Sequence, residues 1–256
     1  MSLILTILLI YFPTLLLSII GTLKDRFEPP NKAFNVLTWP IRFGIIATAI
    51  YSSVLIIKVY GDVFSFLRGQ LDVLQNMFLI SLYAYSVVFT LLYILLRFVY
   101  KSSYFSVFHF RPFKLTFILK LCLYLMILNI LSILFLHYDF ILSLPSTKIE
   151  YVKSMEIRAF ALYYVGATIV APLLEETLFR GVLYIPLLKK VGRFNAIILT
   201  SFIWTEQHFE LSGAIGIFIL GIILGWLYER RGSLLDPIIF HIFVNSWLII
   251  YYVKIL

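Results

Sequence analysis

Charge is scarce in this chain. Asp, Glu, Lys and Arg together make up 13% of its 256 residues, about half the share of an ordinary soluble domain. Cysteine is scarcer: Cys122 stands alone, which excludes an intramolecular disulfide and a CxxC metal site. It sits in an apolar run and reads as a buried, inert thiol. Short alternating strands are missing, which excludes an outer-membrane barrel. No repeat, low-complexity stretch or linker divides the sequence, and the longest polar connector, His137 to Arg158, is too short for a soluble domain. No basic residue precedes Lys24, so the positive region of a cleavable signal peptide is lacking. Ser2 to Thr22 is expected to be a first spanning helix, retained in the mature protein.

Apolar residues fill the gap. They make up 62% of the chain, with a mean hydropathy of +0.99, and they recur from end to end. The expected fold class is all-α: a polytopic membrane protein and a single integral membrane domain over 1–256. A span needs about 20 apolar residues. Eight segments come near that, roughly 2–22, 37–57, 77–96, 115–136, 159–188, 194–209, 212–228 and 234–253. Pro40 and Arg42 disturb the start of the second, and 59–76 is amphipathic enough to lie in the interface.

The formal charge of +8 would suggest nucleic acid in a soluble protein. No RNA-binding motif accompanies it here, and no nucleic-acid partner is expected. Lys and Arg gather in loops, where anionic headgroups and the cytoplasm explain them. Twelve lie in the loops after odd-numbered helices, among them Lys24, Arg97, Lys189 and Arg230, against six on the other side, among them Lys58 and Lys254. The positive-inside rule then puts the odd loops in the cytoplasm and both termini outside.

Three polar sites interrupt the apolar C-terminal half: Glu175-Glu176 with Arg180, then His208, then His241 with Asn245. A central charge in hydrocarbon costs about 2.5–3.5 kcal/mol on insertion scales. Two carboxylates, two imidazoles and a carboxamide are the parts needed to activate a water and stabilise an oxyanion. Glu176 and Arg180 are four apart and share a helical face, so they should pair. Glu175 points elsewhere, without a local partner, which suits a general base. Pro172 should kink the helix or loosen a turn just before the carboxylates. Glu175 lies about 24 Å from Ala159 and about 21 Å from Lys189 along an ideal helix, too deep to snorkel.

His208 ends the sixth segment, about 21 Å from Phe194, which matches the depth of Glu175 on the antiparallel neighbour. A lone histidine in an apolar run is more often an interhelical hydrogen-bonder; the shared depth favours a site. His241 and Asn245, also four apart, can hold an anionic oxygen together. The plainer reading of that pair is an interhelical clamp. Glu206 and Glu210 flank His208 as part of the site or as its rim, and His109 and His137 fall in loops and receive no role. Gly221 and Gly225 form a GxxxG pair that permits close helix approach.

Glu175-Glu176-x-x-x-Arg180, Trp204-x-x-x-His208 and His241-x-x-x-Asn245 resemble the three motifs of the CAAX protease and bacteriocin-processing (Abi) family of intramembrane endopeptidases, which includes the type II CAAX prenyl endopeptidases. The resemblance runs from about 159 to 250, and all three motifs stand in order. It implies eight helices around an intramembrane cavity. It implies that Glu175 and His208 activate a water, that His241 and Asn245 support the oxyanion, and that Glu176 and Arg180 hold the architecture. It leaves both a glutamate acting alone and a bound metal open. Zinc is the alternative, with Glu175, His208 and His241 as three ligands and an open position for water. The family usually has Phe where this chain has Trp204, and Thr205, Glu206 and Gln207 replace mostly small or apolar residues.

The expected activity is hydrolysis of a peptide bond in a membrane-associated or lipidated peptide or protein. The expected setting is a prokaryotic cell membrane, with the site facing the cytoplasm. Two other classes compete: a transporter or proton-coupled channel relaying protons through buried Glu and His, and a non-catalytic scaffold. Pro172 interrupts one helix and no matching break appears in the first half, which disfavours the transporter.

Overall fold

A computed structural model describes residues 115–136, 152–208 and 213–254, with isolated positions between 48 and 98. The expected span at 2–22 lies outside the described residues, as do His109, His137 and Glu210, and those at 37–57 and 77–96 contain only isolated described positions. The described segments are helical throughout and contain no strand.

Among the described residues, five long helices carry the structure. Helix α1 is Leu115–Leu136. Its residues Leu115, Leu119, Leu123 and Ile127 are exposed and recur every fourth position, while Ile118 and Cys122 on another face are buried. Both faces are apolar. Neighbours rather than polarity therefore decide which face is covered, as expected where lipid replaces water. Cys122 is a buried free thiol, as its apolar run implied.

Helix α2, Ile157–Val191, runs 35 residues and is long and apolar enough to cross a membrane. Leu162, Val165, Ile169 and Leu173 make a second exposed apolar stripe along it. The rod is not uniform. Gly166–Val170 and Thr177–Tyr184 are wound as π-helix. Each π stretch leads directly into an α segment with a proline in its first two positions: Pro172 in Ala171–Glu176 and Pro186 in Ile185–Val191. A proline lacks the N–H for its turn and its ring clashes with the carbonyl four residues back. A wider turn relieves the clash, and π turns inside α-helices are frequent at functional sites. The turn that Pro172 was expected to loosen is thus the π stretch before it.

Gly192 alone joins α2 to α3, Arg193–Glu206, and its φ of 82° is one that L side chains rarely adopt. Helices α2 and α3 therefore fold back on each other as an antiparallel pair. Hydroxyls of Thr200, Ser201 and Thr205 on α3 return to carbonyls of the same helix, which satisfies them in apolar surroundings. Helix α4, Ala214–Arg231, ends at Gly232 in the left-handed region, and α5 spans Leu235–Lys254. The expected spans 115–136, 159–188, 194–209, 212–228 and 234–253 correspond to α1 through α5.

Helices α3 and α4 approach closely at the GxxxG pair. A Cβ added at Gly221 would stand 2.9 Å from Ser201 Cβ, and one at Gly225 would stand 3.0 Å from Ile197 Cγ2. The core around them is apolar and tight, with Leu174, Leu178, Phe179, Leu224, Leu227 and Phe240 fully buried.

Candidate active site

The polar residues converge where α2, α3, α4 and α5 meet. Glu176 and Arg180 are both fully buried, and Arg180 Nη1 donates to Glu176 Oε1 at 3.0 Å. This is the pair expected from their spacing. It holds although Arg180 falls within a π stretch, because four residues still make nearly a full turn there. Arg180 Nη2 donates to the Gly221 carbonyl on α4 at 3.1 Å. The absent side chain at Gly221 thus serves two ends: it admits α3, and it opens a backbone acceptor to the guanidinium.

Glu176 Oε1 has a second partner in His241 Nδ1 on α5, at 2.9 Å. A carboxylate can only accept, so Nδ1 carries the proton and Nε2 is directed away from Glu176. That nitrogen stands 4.0 Å from Glu175 Oε2. One carboxylate therefore ties α5 to α2 and fixes the imidazole that faces the other carboxylate.

Glu175 is 8% exposed. It was expected to have no local partner, and its partner is a distant one: Trp204 on α3, whose indole Nε1 donates to Glu175 Oε2 at 2.8 Å. The missed contact follows from geometry. Reckoning depth at 1.5 Å per residue assumes α-helix throughout, and the π stretch Thr177–Tyr184 lies between Glu175 and the Gly192 turn. Wider turns shorten α2, so Glu175 meets Trp204, one helical turn short of His208.

Trp204 is 1% exposed and sits at the centre of the constellation. The rings of His208 and His241 stand edge-on to it, with centroids 4.7 and 5.3 Å away. The Arg180 guanidinium lies over the same ring at 5.0 Å. His208 is exposed, and its Nδ1 lies 2.9 Å from the Trp204 carbonyl. A carbonyl only accepts, so here too Nδ1 carries the proton and Nε2 is left as the basic nitrogen. The constellation is buried around Glu175 and open on the His208 side.

Asn245 is half-buried and donates from Nδ2 to the Ala167 carbonyl on α2 at 2.9 Å. Along with the His241–Glu176 bond, this makes a two-point clamp between α5 and α2. Glu206 is exposed beside His208. One buried pair escaped the sequence reading entirely. Tyr184 on α2 donates to Glu229 on α4 at 2.5 Å, and the only signal was a carboxylate one residue inside a basic helix end.

Among the described residues, no group of three or more His, Cys, Asp or Glu converges to hold a metal ion. Tetrahedral zinc bound at 2.0–2.1 Å would bring two donor atoms to about 3.4 Å of each other. Glu175 Oε2 and His241 Nε2 are 4.0 Å apart, and that oxygen already accepts the indole proton. The donors as arranged do not fit zinc, and no step below runs through a metal.

The match with known families falls on this region. Residues 157–247 match the family described as Type II CAAX prenyl endopeptidase Rce1-like. The chain is 30% identical over 94 residues to a protein of Bacillus subtilis (strain 168) described as "Putative membrane peptidase YdiL". That alignment covers 37% of this chain and 38% of the relative, so the chain spans about two fifths of the length of the curated relative it matches. No solved structure matches. The stretch that builds this site is thus similar to the Type II CAAX prenyl endopeptidase Rce1-like family and to a relative described as a putative membrane peptidase.

Proposed function

We propose that this protein is an intramembrane endopeptidase and that its reaction is the hydrolysis of a peptide bond by a water activated between Glu175 and His208. The observation that carries the reading is the nearly buried Glu175 carboxylate, held by Trp204 and faced by His241 Nε2, inside an apolar helix of 35 residues. A solitary structural charge would not gather an indole donor and an imidazole around it at such cost.

In the proposed reaction Glu175 takes a proton from water as its oxygen attacks the scissile carbonyl carbon. His208, with its Nδ1 held by the Trp204 carbonyl, presents Nε2 to the same water. The oxygen of the tetrahedral intermediate becomes negative. His241 supports it through Nε2 when that nitrogen is protonated, with Glu176 holding the other side of the ring. Asn245 uses one amide hydrogen on Ala167, and its second amide hydrogen remains for the oxyanion. The C–N bond then breaks, and the proton held by Glu175 passes to the departing amine. Glu176 and Arg180 support the site without touching substrate.

The proposed frame is a single integral membrane domain over 1–256, with eight helices around a cavity that opens to the cytoplasm of a prokaryotic cell. The proposed substrate is a membrane-associated or lipidated peptide or protein. Its proposed entry is at the exposed His208, which packs on the Trp204 ring that holds the buried Glu175.

The test uses purified full-length protein in detergent with a library of internally quenched peptides, without any ion gradient. Cleavage by the wild type that vanishes in Glu175→Gln supports the reading. A proton-coupled transporter or a scaffold would cleave nothing. Cleavage that persists at the wild-type rate in Glu175→Gln would sink the mechanism. Covalent or affinity capture of membrane peptides by the inactive Glu175→Gln protein then names the substrate.

A further inference from the structure

We propose that Trp204 is a positioning residue for Glu175, acting through its indole N–H rather than through its size. The inference rests on the reading of Glu175 as the base.

Three ring contacts and burial fix the indole. Arg180 lies over the ring, His208 and His241 meet it edge-on, and the side chain is 1% exposed. A ring held this way cannot turn, so the direction of its N–H is set before substrate arrives. That N–H ends on Glu175 Oε2 at 2.8 Å. A carboxylate on a flexible three-torsion side chain samples several rotamers, and a fixed donor selects one of them. Pre-set geometry of this kind separates a productive base from one that must be reoriented in every turnover.

The ring contacts and the hydrogen bond are separable. Phenylalanine would keep a quadrupole under Arg180 and an aromatic edge for both imidazoles, because these need only a π-system. It would lose the donor. The bond from His208 Nδ1 goes to the backbone carbonyl of residue 204 and survives any side-chain change there. Residue 204 therefore offers a substitution that removes one hydrogen bond to the base and leaves the orientation of His208 in place.

The test has a spectroscopic arm and a kinetic arm. The chain has four tryptophans, so full-length protein labelled with 15N-tryptophan gives few indole N–H signals, and the one lost in Trp204→Phe belongs to Trp204. In Glu175→Met this signal moves upfield and exchanges faster with solvent, while the other indoles stay in place and report an intact fold. For kinetics, two changes at 204 are compared: Trp204→Phe, and 3-benzothienylalanine, which keeps the indole shape and replaces N–H with sulfur. Both lower kcat by about tenfold to a hundredfold on the cleaved library peptides. KM stays unchanged, because the bond acts on the base and not on substrate. An indole signal indifferent to Glu175→Met would overturn the proposal, and so would a benzothienylalanine protein with wild-type kcat. If the wild type cleaves no peptide, the peptidase reading fails, while the spectroscopic arm still decides whether Glu175 is held by Trp204.

Discussion

Asn245 on α5 donates to the carbonyl of Ala167 on α2, and Pro172 is the reason that carbonyl needs a donor. In the π register the N–H of Ala171 goes to Gly166. The next donor in that register, at position 172, would serve Ala167, and proline has no N–H. The freed carbonyl lies in an apolar helix where water cannot satisfy it. The amide of Asn245 fills the place and docks one helix on another.

Asn245→Ala is therefore expected to destabilise the folded protein by about 0.6–2 kcal/mol, read as a lower thermal midpoint in detergent. Pro172→Ala in the same background restores a backbone donor and recovers part of the loss. A double-mutant cycle measures the coupling. Independent, additive effects would refute the link.

The second expectation concerns Glu176. Its Oε1 receives both Arg180 and His241. Glu176→Gln leaves Arg180 charged and buried without its counter-ion, at a cost of about 3–5 kcal/mol. Thermal stability and turnover should fall together. Glu175→Gln should abolish turnover with the melting temperature nearly unchanged, since the indole can still donate to the amide oxygen. Equal stability losses in the two variants would contradict this division.

Close packing gives a third. Gly221→Ala puts a methyl 2.9 Å from Ser201 Cβ and 3.1 Å from its Cα. Backbone cannot yield cheaply, so α3 and α4 must part, at about 1–3 kcal/mol, and the Gly221 carbonyl moves off Arg180. Gly225→Ala meets only side-chain atoms, the Cγ2 methyl of Ile197 first, and should cost less. Ser201→Gly should rescue Gly221→Ala. Chemical or thermal denaturation of the three variants tests the order.

Metal removal separates the two mechanisms. The donor geometry predicts that peptide cleavage survives exhaustive chelation and that the purified protein carries no stoichiometric zinc. Activity lost to a chelator and restored by zinc alone would replace the glutamate mechanism with a metal one.

Orientation is open to reporter fusions. The excess of basic residues in odd-numbered loops predicts a cytoplasmic reporter near Lys190 and an external one after Leu256. The reverse at both positions would turn the cavity outward.

Composition and hydrophobic runs alone determined the membrane class, the all-helical fold and the extents of α1 to α5, because a bilayer demands long apolar helices and little else. Spacing alone determined that Glu176 pairs with Arg180, because four residues is one helical turn. The glycine pair announced a close helix contact, since only the lack of a side chain permits one. The partner of Glu175 was decided by tertiary structure. Two π stretches changed the rise of α2, and no pattern of apolar residues encodes which carbonyl a helix skips. Tertiary structure also turned Gly221 into an acceptor for Arg180 and Asn245 into the donor for Ala167. Those bonds use backbone carbonyls, which every residue carries, so only packing could choose among them.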